Sequence, residues 1–472
     1  MTSSTSSTSS AAPSTGATPP RNTLLRDRNI AWLMGGAIVS LLGDQFTLVA
    51  LPWLVLRMTG DTLVLGTVLA LLGIPRALFI LIGGAVVDRH SPKQVLMLSK
   101  HANTVLLGAL ALLVLFGGLT LPLVYALALG IGLATAFSIP AATSILPRVV
   151  APQQLPAANG LMMALRQLSF FVGPLLAGLL IAWSGDSRAG GIGSVREAQG
   201  LALAFGLDAL SFVLSALTLS RVQTKPSPAR APQASAGPLP SGLSTRLAGG
   251  GGIPAPGATY RQPMFAAVAE GLRTFWRDRA LRCCLLYWSA VALLVTGPVQ
   301  IALPVLASSR PALGAAAYGG LLSAYGAGTL AGMAVSGARP HLRVVNLGLT
   351  ILLVDALVGL LFMPMGHIAT LWQGAALLGA IGVLSGYMQV TVFTWIQRRV
   401  APALLGRAMS VFMFIYMGLA PLSSAATGWL LRSIGLPTLF TSAGAALVGL
   451  VLLALMGSSM RQVTDGPTAV AP

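Results

Sequence analysis

The chain is 472 residues long, 55% hydrophobic and only 8% charged, with 54 glycines and a mean hydropathy of +0.81. Soluble domains carry roughly 25% charged residues, so these side chains cannot surface a water-facing globule, and the apolar excess equally excludes low-hydrophobicity disorder. The net charge of +18 (29 Lys and Arg against 11 acids) would suggest nucleic acid in a soluble chain, but here the basic residues punctuate long apolar stretches, which leaves a polytopic membrane protein.

Residues 1–28 open with a Ser/Thr/Ala/Pro run and read as a disordered cytoplasmic tail; no basic start followed by an apolar stretch marks a cleaved signal. Beyond Arg28, stretches near twenty apolar residues recur, each long enough to cross about 30 Å of hydrocarbon. Twelve spans are expected. In the first half they are Ile30–Leu56, Leu63–Val87, Val95–Phe116, Leu121–Ser144, Ala157–Trp183 and Leu201–Ser220. In the second they are Cys283–Ala307, Tyr318–Gly337, Val344–Met365, Ala369–Ile396, Arg407–Leu431 and Pro437–Met456. A backbone in lipid must satisfy its own hydrogen bonds, so these are helices and the fold class is an all-α membrane protein. Glycines such as Gly326, Gly328 and Gly332 allow close backbone approach.

The expected organisation is a six-helix bundle at 29–220, a cytoplasmic linker at 221–282, a second bundle at 283–456 and a cytoplasmic tail at 457–472. The linker begins Pro/Ser/Gly/Ala-rich, as flexible segments do. It ends in a stripe of Phe265, Val268, Leu272 and Phe275, with Glu270, Arg273, Arg277 and Asp278 on the other side, the pattern of a helix lying on the inner leaflet. A solvated helix leading into the seventh span fits the same pattern. With both termini inside, the internal segments hold 22 Lys and Arg and the external ones five, counting Lys100 and Arg407 at the inner ends of their spans. That bias sets the orientation at a cell membrane, a bacterial inner membrane being the expected site.

An internal repeat appears at one offset. Arg339 and Arg343 stand 250 residues after Arg89 and Lys93, and Arg398 stands 250 after Arg148, each at the corresponding loop. Parallel six-helix repeats about an axis along the membrane normal, with substrate between them near the midplane, are a transporter architecture.

Charges inside spans are costly, about 2.5–3.5 kcal/mol each at a helix centre, and mark function. Asp44, Asp208 and Asp355 are the proton-coupling candidates, with Arg76 and Arg166 as intramembrane charge partners. Asp44 leads because it is central and flanked by Gln45 and Thr47; the alternative is a permanent Asp44–Arg ion pair that fixes packing. For Asp208 a helix-packing hydrogen bond is the alternative, and Arg76 can lock the first two helices together. Adjacent Cys283 and Cys284 offer no disulfide framework, the four histidines have no metal-ligand spacing, and no lysine follows a glycine as in a P-loop. No metal, cofactor or nucleic-acid partner is expected; a proton gradient is the expected energy source.

Several stretches resemble a known family. The segment from Gly83 through Asp88 and Arg89 to Lys93 is similar to the major facilitator signature between helices two and three, with Ser91 and Pro92 departing from it. Gly160, Ser169, Gly173, Pro174 and Gly178 resemble the fifth-helix motif of antiporters. Gly43-Asp44-Gln45, Pro75-Arg76, Leu165-Arg166-Gln167, Asp208-Ala209-Leu210-Ser211-Phe212 and Gly418-Leu419-Ala420-Pro421 resemble the branch holding macrolide and enterobactin exporters.

The resemblance implies twelve helices in two pseudo-symmetric bundles, alternating access, and an inner gate built on Asp88. It also implies a cavity lined by helices one, four, seven and ten, which nominates Thr135, Ser138, Thr296, Gln300, Tyr387 and Thr391 beside Asp44. Sparse hydroxyls and amides in an apolar chamber suit a hydrophobic or amphipathic molecule of drug or siderophore type, exported against protons by a monomer. An importer or uniporter on the same fold is the alternative; an integral membrane enzyme or receptor is a further class, for which the sequence offers no placed catalytic set.

Overall fold

The computed structural model of the chain describes residues 27–89, 91–184, 195–224, 276, 278–310, 313–339, 342–400, 409, 411–415, 417–457 and 459–463, with side chains described except at 80–89, 195–197, 459 and 462. Among these residues every regular element is helical. The first six long helices are α1 (Arg28–Thr59), α2 (Thr62–Arg89), α3 (Pro92–Leu115), α4 (Leu121–Val149), α5 (Leu155–Trp183) and α6 (Val195–Arg221). Next comes α7 (Arg279–Gly297), continued by a π-helical turn, Pro298–Ala302, and by Leu303–Ser309. The last five are α8 (Ala315–Ala338), α9 (Leu347–Phe362, extended by a 3-10 turn Met363–His367), α10 (Leu371–Arg399), α11 (Ala420–Leu430, with helical residues from 411) and α12 (Leu436–Gly457).

Local chemistry explains the ends. Asp27 accepts from the Asn29 amide to start α1, and Gly60, at φ 62°, takes the left-handed conformation that stops it. Thr370 and Gln373 form a reciprocal capping box at the start of α10.

Eleven of the helices are long and apolar enough to cross a membrane. The twelfth, α8, is rich in Gly, Ala and Ser and so less apolar, but it lies against both α10 and α5. Rows of exposed apolar side chains face outward where lipid would be: Leu98, Val105 and Leu112 on α3, two turns apart, are 72%, 69% and 56% exposed.

The repeat read from the loops is present in the helices. Leu371 and Arg399, the ends of α10, stand 250 residues after Leu121 and Val149, the ends of α4. Packing repeats too: α2 lies on α4 and α3 on α6, as α8 lies on α10 and α9 on α12. Two further pairs, α2 with α11 and α5 with α8, join one set of six helices to the other.

Three expectations need correction or limitation. Asp278 is not on the polar face of a surface helix. Its carboxylate accepts from the amides of Ala280 and Leu281 to cap α7 and pairs with Arg399 at 2.8 Å. Partial burial opposes the charge, but the Arg399 guanidinium and the two amides hold Asp278 below the ordinary carboxylate range. Lys100 is not at the inner end of its span: it is the ninth residue of α3, some 12 Å along the axis, and is 7% exposed. The Phe265–Phe275 stripe, the linker from 225 to 275 and the first 26 residues lie outside the described residues.

Candidate functional site

The site begins with the way α1 meets α6. Gly36, Ser40, Gly43 and Thr47 recur every three or four residues and so lie along one face of α1; Asp208, Ser211, Ser215 and Thr218 do the same on α6. The helices run antiparallel and these faces mesh. The Ser215 hydroxyl donates to the Gly36 carbonyl at 2.6 Å, and an added Cβ at Gly43 would sit 2.0 Å from the Ser211 hydroxyl. The Thr47 hydroxyl donates to the Asp208 carboxylate. Asp208 is 1% exposed and also accepts from Ser211 at 3.3 Å. The helix-packing hydrogen bond considered for Asp208 is therefore present.

Asp44 is on the neighbouring face of α1 and is exposed. It lies within electrostatic reach of Arg76 on α2, Lys100 on α3 and Arg166 on α5, and its charge is also felt by Asp208. Among the described residues no ion pair closes on Asp44, so the permanent Asp44–Arg lock does not form in this conformation. The Nε of Arg76 is buried without a partner, and Arg166 is exposed. Five ionisable groups from five helices thus share one region of the first six-helix set.

Lys100 was missed as a member of this group because it lies near the start of an apolar run, where a charge reads as an anchor. Its ammonium donates to Ser215 at 2.6 Å and to Ser40 at 3.4 Å and lies 5.6 Å from the Phe212 ring centroid. Ser99, Lys100 and Asn103, all buried, are the sequence signal that could have found it: three polar residues within about one turn of a span.

Asp355 is elsewhere. It accepts from the Tyr287 hydroxyl at 2.8 Å, joining α9 to α7 in the second set. Of the nominated cavity residues, Thr135 and Ser138 are half-buried on α4, Thr135 bonding back to Ile131 at 2.7 Å. Thr296 is half-buried on α7. Gln300, in the π-helical turn, accepts from Ser424 of α11 at 2.8 Å, so the turn sets it toward α11.

Tyr387 and Thr391 do share a face, but that face is turned to α8. Thr391 meets Ser336 at 3.3 Å, and Tyr387 donates to the Leu342 carbonyl and accepts from Arg343 at 2.8 Å. The reason is the glycine contact between α8 and α10. An added Cβ at Gly332 would be 2.0 Å from the Val383 carbonyl oxygen, and one at Gly386 would be 2.1 Å from that of Thr329. Residues on this stripe are interhelical.

The antiporter-like motif places α5 between the two sets. Gly173 admits Gln45 of α1, whose Cγ would be 2.4 Å from an added Cβ, and Gly178 lies against Ala315 and Gly319 of α8. Ser169 is buried and bonds back to Leu165 at 2.9 Å. Pro174 cannot donate to the Phe170 carbonyl, and that freed oxygen abuts Gly326; α5 nevertheless runs on to Trp183. Gly160 at the other end of α5, and Gly337 at the same end of α8, would each meet nothing within 4 Å.

The α2–α11 seam is built the same way. Thr62 donates to the Gly428 carbonyl at 2.8 Å, and Gly66 faces Ser424 and Gly428. Beside it Asp61 accepts a two-pronged bond from Arg432, Nε to Oδ1 at 3.1 Å and Nη2 to Oδ2. The halves are therefore sealed at the end carrying Asp61; toward the other end Gln167 of α5 still meets Met333 of α8 at 3.2 Å, and beyond that contact Gly160 and Gly337 have open space beside them.

Within the gate-like motif, Lys93 donates to the carbonyls of Ser220 and Val222 at 3.0 and 2.6 Å, a cation at the C-terminus of α6. Gly83, Asp88 and Arg89 lie on α2, where side chains fall outside the described residues. Among the described residues no group of His, Cys, Asp and Glu could hold a metal ion.

Comparison with known proteins identifies the architecture. The family described as Major Facilitator Superfamily matches residues 33–424. The multidrug efflux pump Tap of Mycobacterium tuberculosis is 25% identical over 450 residues, covering 93% of this chain and 95% of that protein. The enterobactin exporter EntS of Shigella boydii is 25% identical over 364 residues, covering 76% and 74%. Among solved structures, the nucleoside transporter NupG aligns with a TM-score of 0.67 at 12% identity, covering 93% of this chain and 100% of that one. An inward-facing bacterial homolog to the human lysosomal transporter Spinster aligns at 0.61 and 16% identity, covering 94% and 97%.

Proposed function

Since the chain belongs to the Major Facilitator Superfamily and is a multi-pass membrane transporter, we propose that it exports a hydrophobic or amphipathic small molecule in exchange for protons. The observation that carries the proposal is Asp44: an exposed carboxylate inside a membrane helix, surrounded by three cations and closed into no ion pair. A permanently paired acid would have nothing to exchange. An unpaired one in a wet chamber can take a proton in one conformation and lose it in another, when neighbouring charges move.

Alternating access follows from the seams. With both chain ends in the cytoplasm, as the distribution of basic residues indicates, the sealed end is external and the chamber opens inward. Substrate enters beside Asp44, Arg76 and Arg166. Parting of α2 from α11 and of α5 from α8, with closure at the Gly160 end, releases it outside. Tap and EntS, exporters by name and alignable along most of the chain, support the direction. Asp44 and Asp208, neighbours in the first six-helix set, then form the coupling pair, Asp355 lying in the second set. The protein works as a monomer in a bacterial inner membrane and needs no cofactor beyond the proton gradient.

The test is ethidium efflux from proteoliposomes with and without a collapsed proton gradient. Efflux should stop when the gradient is collapsed, and Asp44→Asn should abolish gradient-driven efflux while the protein stays folded. Undiminished coupled efflux by Asp44→Asn removes Asp44 from the role; accumulation rather than efflux makes the protein an importer, and gradient-independent equilibration makes it a uniporter.

A further inference from the structure

Lys100 has so far entered only as one of the three cations near Asp44. It sits at the seam where α3 meets α1 and α6, anchored by the Ser215 and Ser40 hydroxyls and the face of Phe212. A lysine at this depth is expensive unless it is paired or functional, and no carboxylate forms an ion pair with it among the described residues. The polar surroundings are not accidental. Asn103, one turn on, is 1% exposed with neither amide atom bonded, and Ser99 is buried beside them. From Lys100 the polar row continues through Ser215 and Ser211 to Asp208 and Thr47, and Asp44 lies within the electrostatic reach of the ammonium.

Resting on the proton-coupled reading above, we propose that Lys100 is a positioning residue for coupling: the fixed counter-charge that limits the Asp44–Asp208 pair to one transferable proton and sets the pH at which it loads. A charge held by two hydroxyls is fixed at the seam. It therefore acts through space on the acids, not on substrate. The other titratable groups around it are few. α1 offers Asp44, and α6 offers Asp208 and, in its last turn, Arg221. α4 offers Tyr125 and Arg148 toward its two ends, and α2 offers Arg76. α5 adds Arg166 through α1. On α3 itself Lys93 caps α6, and His101 is exposed and bonded to Met97. Asp208, one of the acids Lys100 acts on, is buried and tied to the same seam; Asp44 and His101 are exposed.

The test needs no substrate. The full chain in lipid is titrated by infrared difference spectroscopy, following the carbonyl stretch of protonated carboxyl groups and assigning it with Asp44→Asn and Asp208→Asn. Lys100→Gln keeps hydrogen bonds to Ser215 and Ser40 but loses the charge. Its midpoint should move toward alkaline pH by about one unit, a tenfold change in proton concentration, while Lys100→Arg stays within about 0.3 unit of the parent. If Lys100→Gln fails to fold, Lys100→Met carries the same expectation. A band that titrates in Lys100→Gln or Lys100→Met as in the parent overturns the proposal, as does a loss of thermal stability in these variants with no movement of the midpoint. Gradient-independent ethidium efflux by a parent chain whose band does depend on Lys100 would instead sink the proton-coupled reading and leave the electrostatic role standing.

Discussion

Gly319 on α8 offers the sharpest test of how the two halves meet. A methyl at this position would lie 2.2 Å from the Pro174 carbonyl oxygen and 2.9 Å from the Gly178 Cα. Both are backbone atoms of α5, unable to rotate aside, and non-bonded carbon contacts settle near 3.5 Å, so Gly319→Ala must part the helices by roughly 1 Å. Overpacking of this kind costs about 1–3 kcal/mol. Here the cost falls only on the conformation in which the seam is shut, so it appears as a population shift of about 5- to 150-fold toward the parted state. Spin labels at Thr120 and Ser433, both exposed at the sealed end and on opposite halves, report the separation in a chain with Cys283 and Cys284 replaced by alanine. The expected result is a longer distance component in Gly319→Ala and none in Gly337→Ala, where a methyl meets nothing within 4 Å. Unchanged distances in Gly319→Ala, or an equal change in both variants, would refute the reasoning.

Two further outcomes follow from the same geometry. The hydrogen bond from Arg432 holds Asp61 below its ordinary value of 3.8; a depressed carboxylate stabilises the sealed end above that value and ceases to as pH falls through the lowered one. The Thr120–Ser433 distance of the sealed state should therefore persist down to about pH 4 and lengthen below it, a transition that Asp61→Asn should abolish. In Gly43→Ala the new methyl would be 2.0 Å from the Ser211 hydroxyl and 2.7 Å from an Asp208 oxygen. The expected loss is about 1–3 kcal/mol, read as a lowered Tm in detergent, and Ser211→Ala in the same chain should recover part of it; additive losses would contradict the meshing of α1 with α6.

The spans were legible because lipid leaves the backbone one solution and hydropathy records it: Ala157–Trp183 became Leu155–Trp183, and Leu121 starts the fourth helix as expected. The duplication was legible because loop charges kept their spacing. What stayed hidden was rotation about each helix axis. In an apolar helix both faces are hydrophobic, so nothing in the sequence says whether Tyr387 and Thr391 turn to the chamber or to α8. The deciding signal lay on a different helix, in Gly328 and Gly332, which draw α10 close. Lys100 was lost for a related reason, since depth along a helix depends on where the chain enters the membrane and Pro92 starts α3 earlier than the apolar run does. Asp278 looked like one more polar residue of an amphipathic stripe, and only its partner Arg399, 121 positions away, reveals its job.

The glycine-backed seams carry a mechanical consequence. Where α5 crosses α8 and α2 crosses α11, main chain rests on main chain, with few side chains interdigitated. Lipid gives no hydrophobic penalty for drawing such surfaces apart, so apart from dispersion and the Thr62–Gly428 and Asp61–Arg432 bonds at one end little is surrendered as they slide. Smooth bearings of this kind let a large body move through many cycles over a low barrier, and leave the decision of when to move to the handful of charges at its centre.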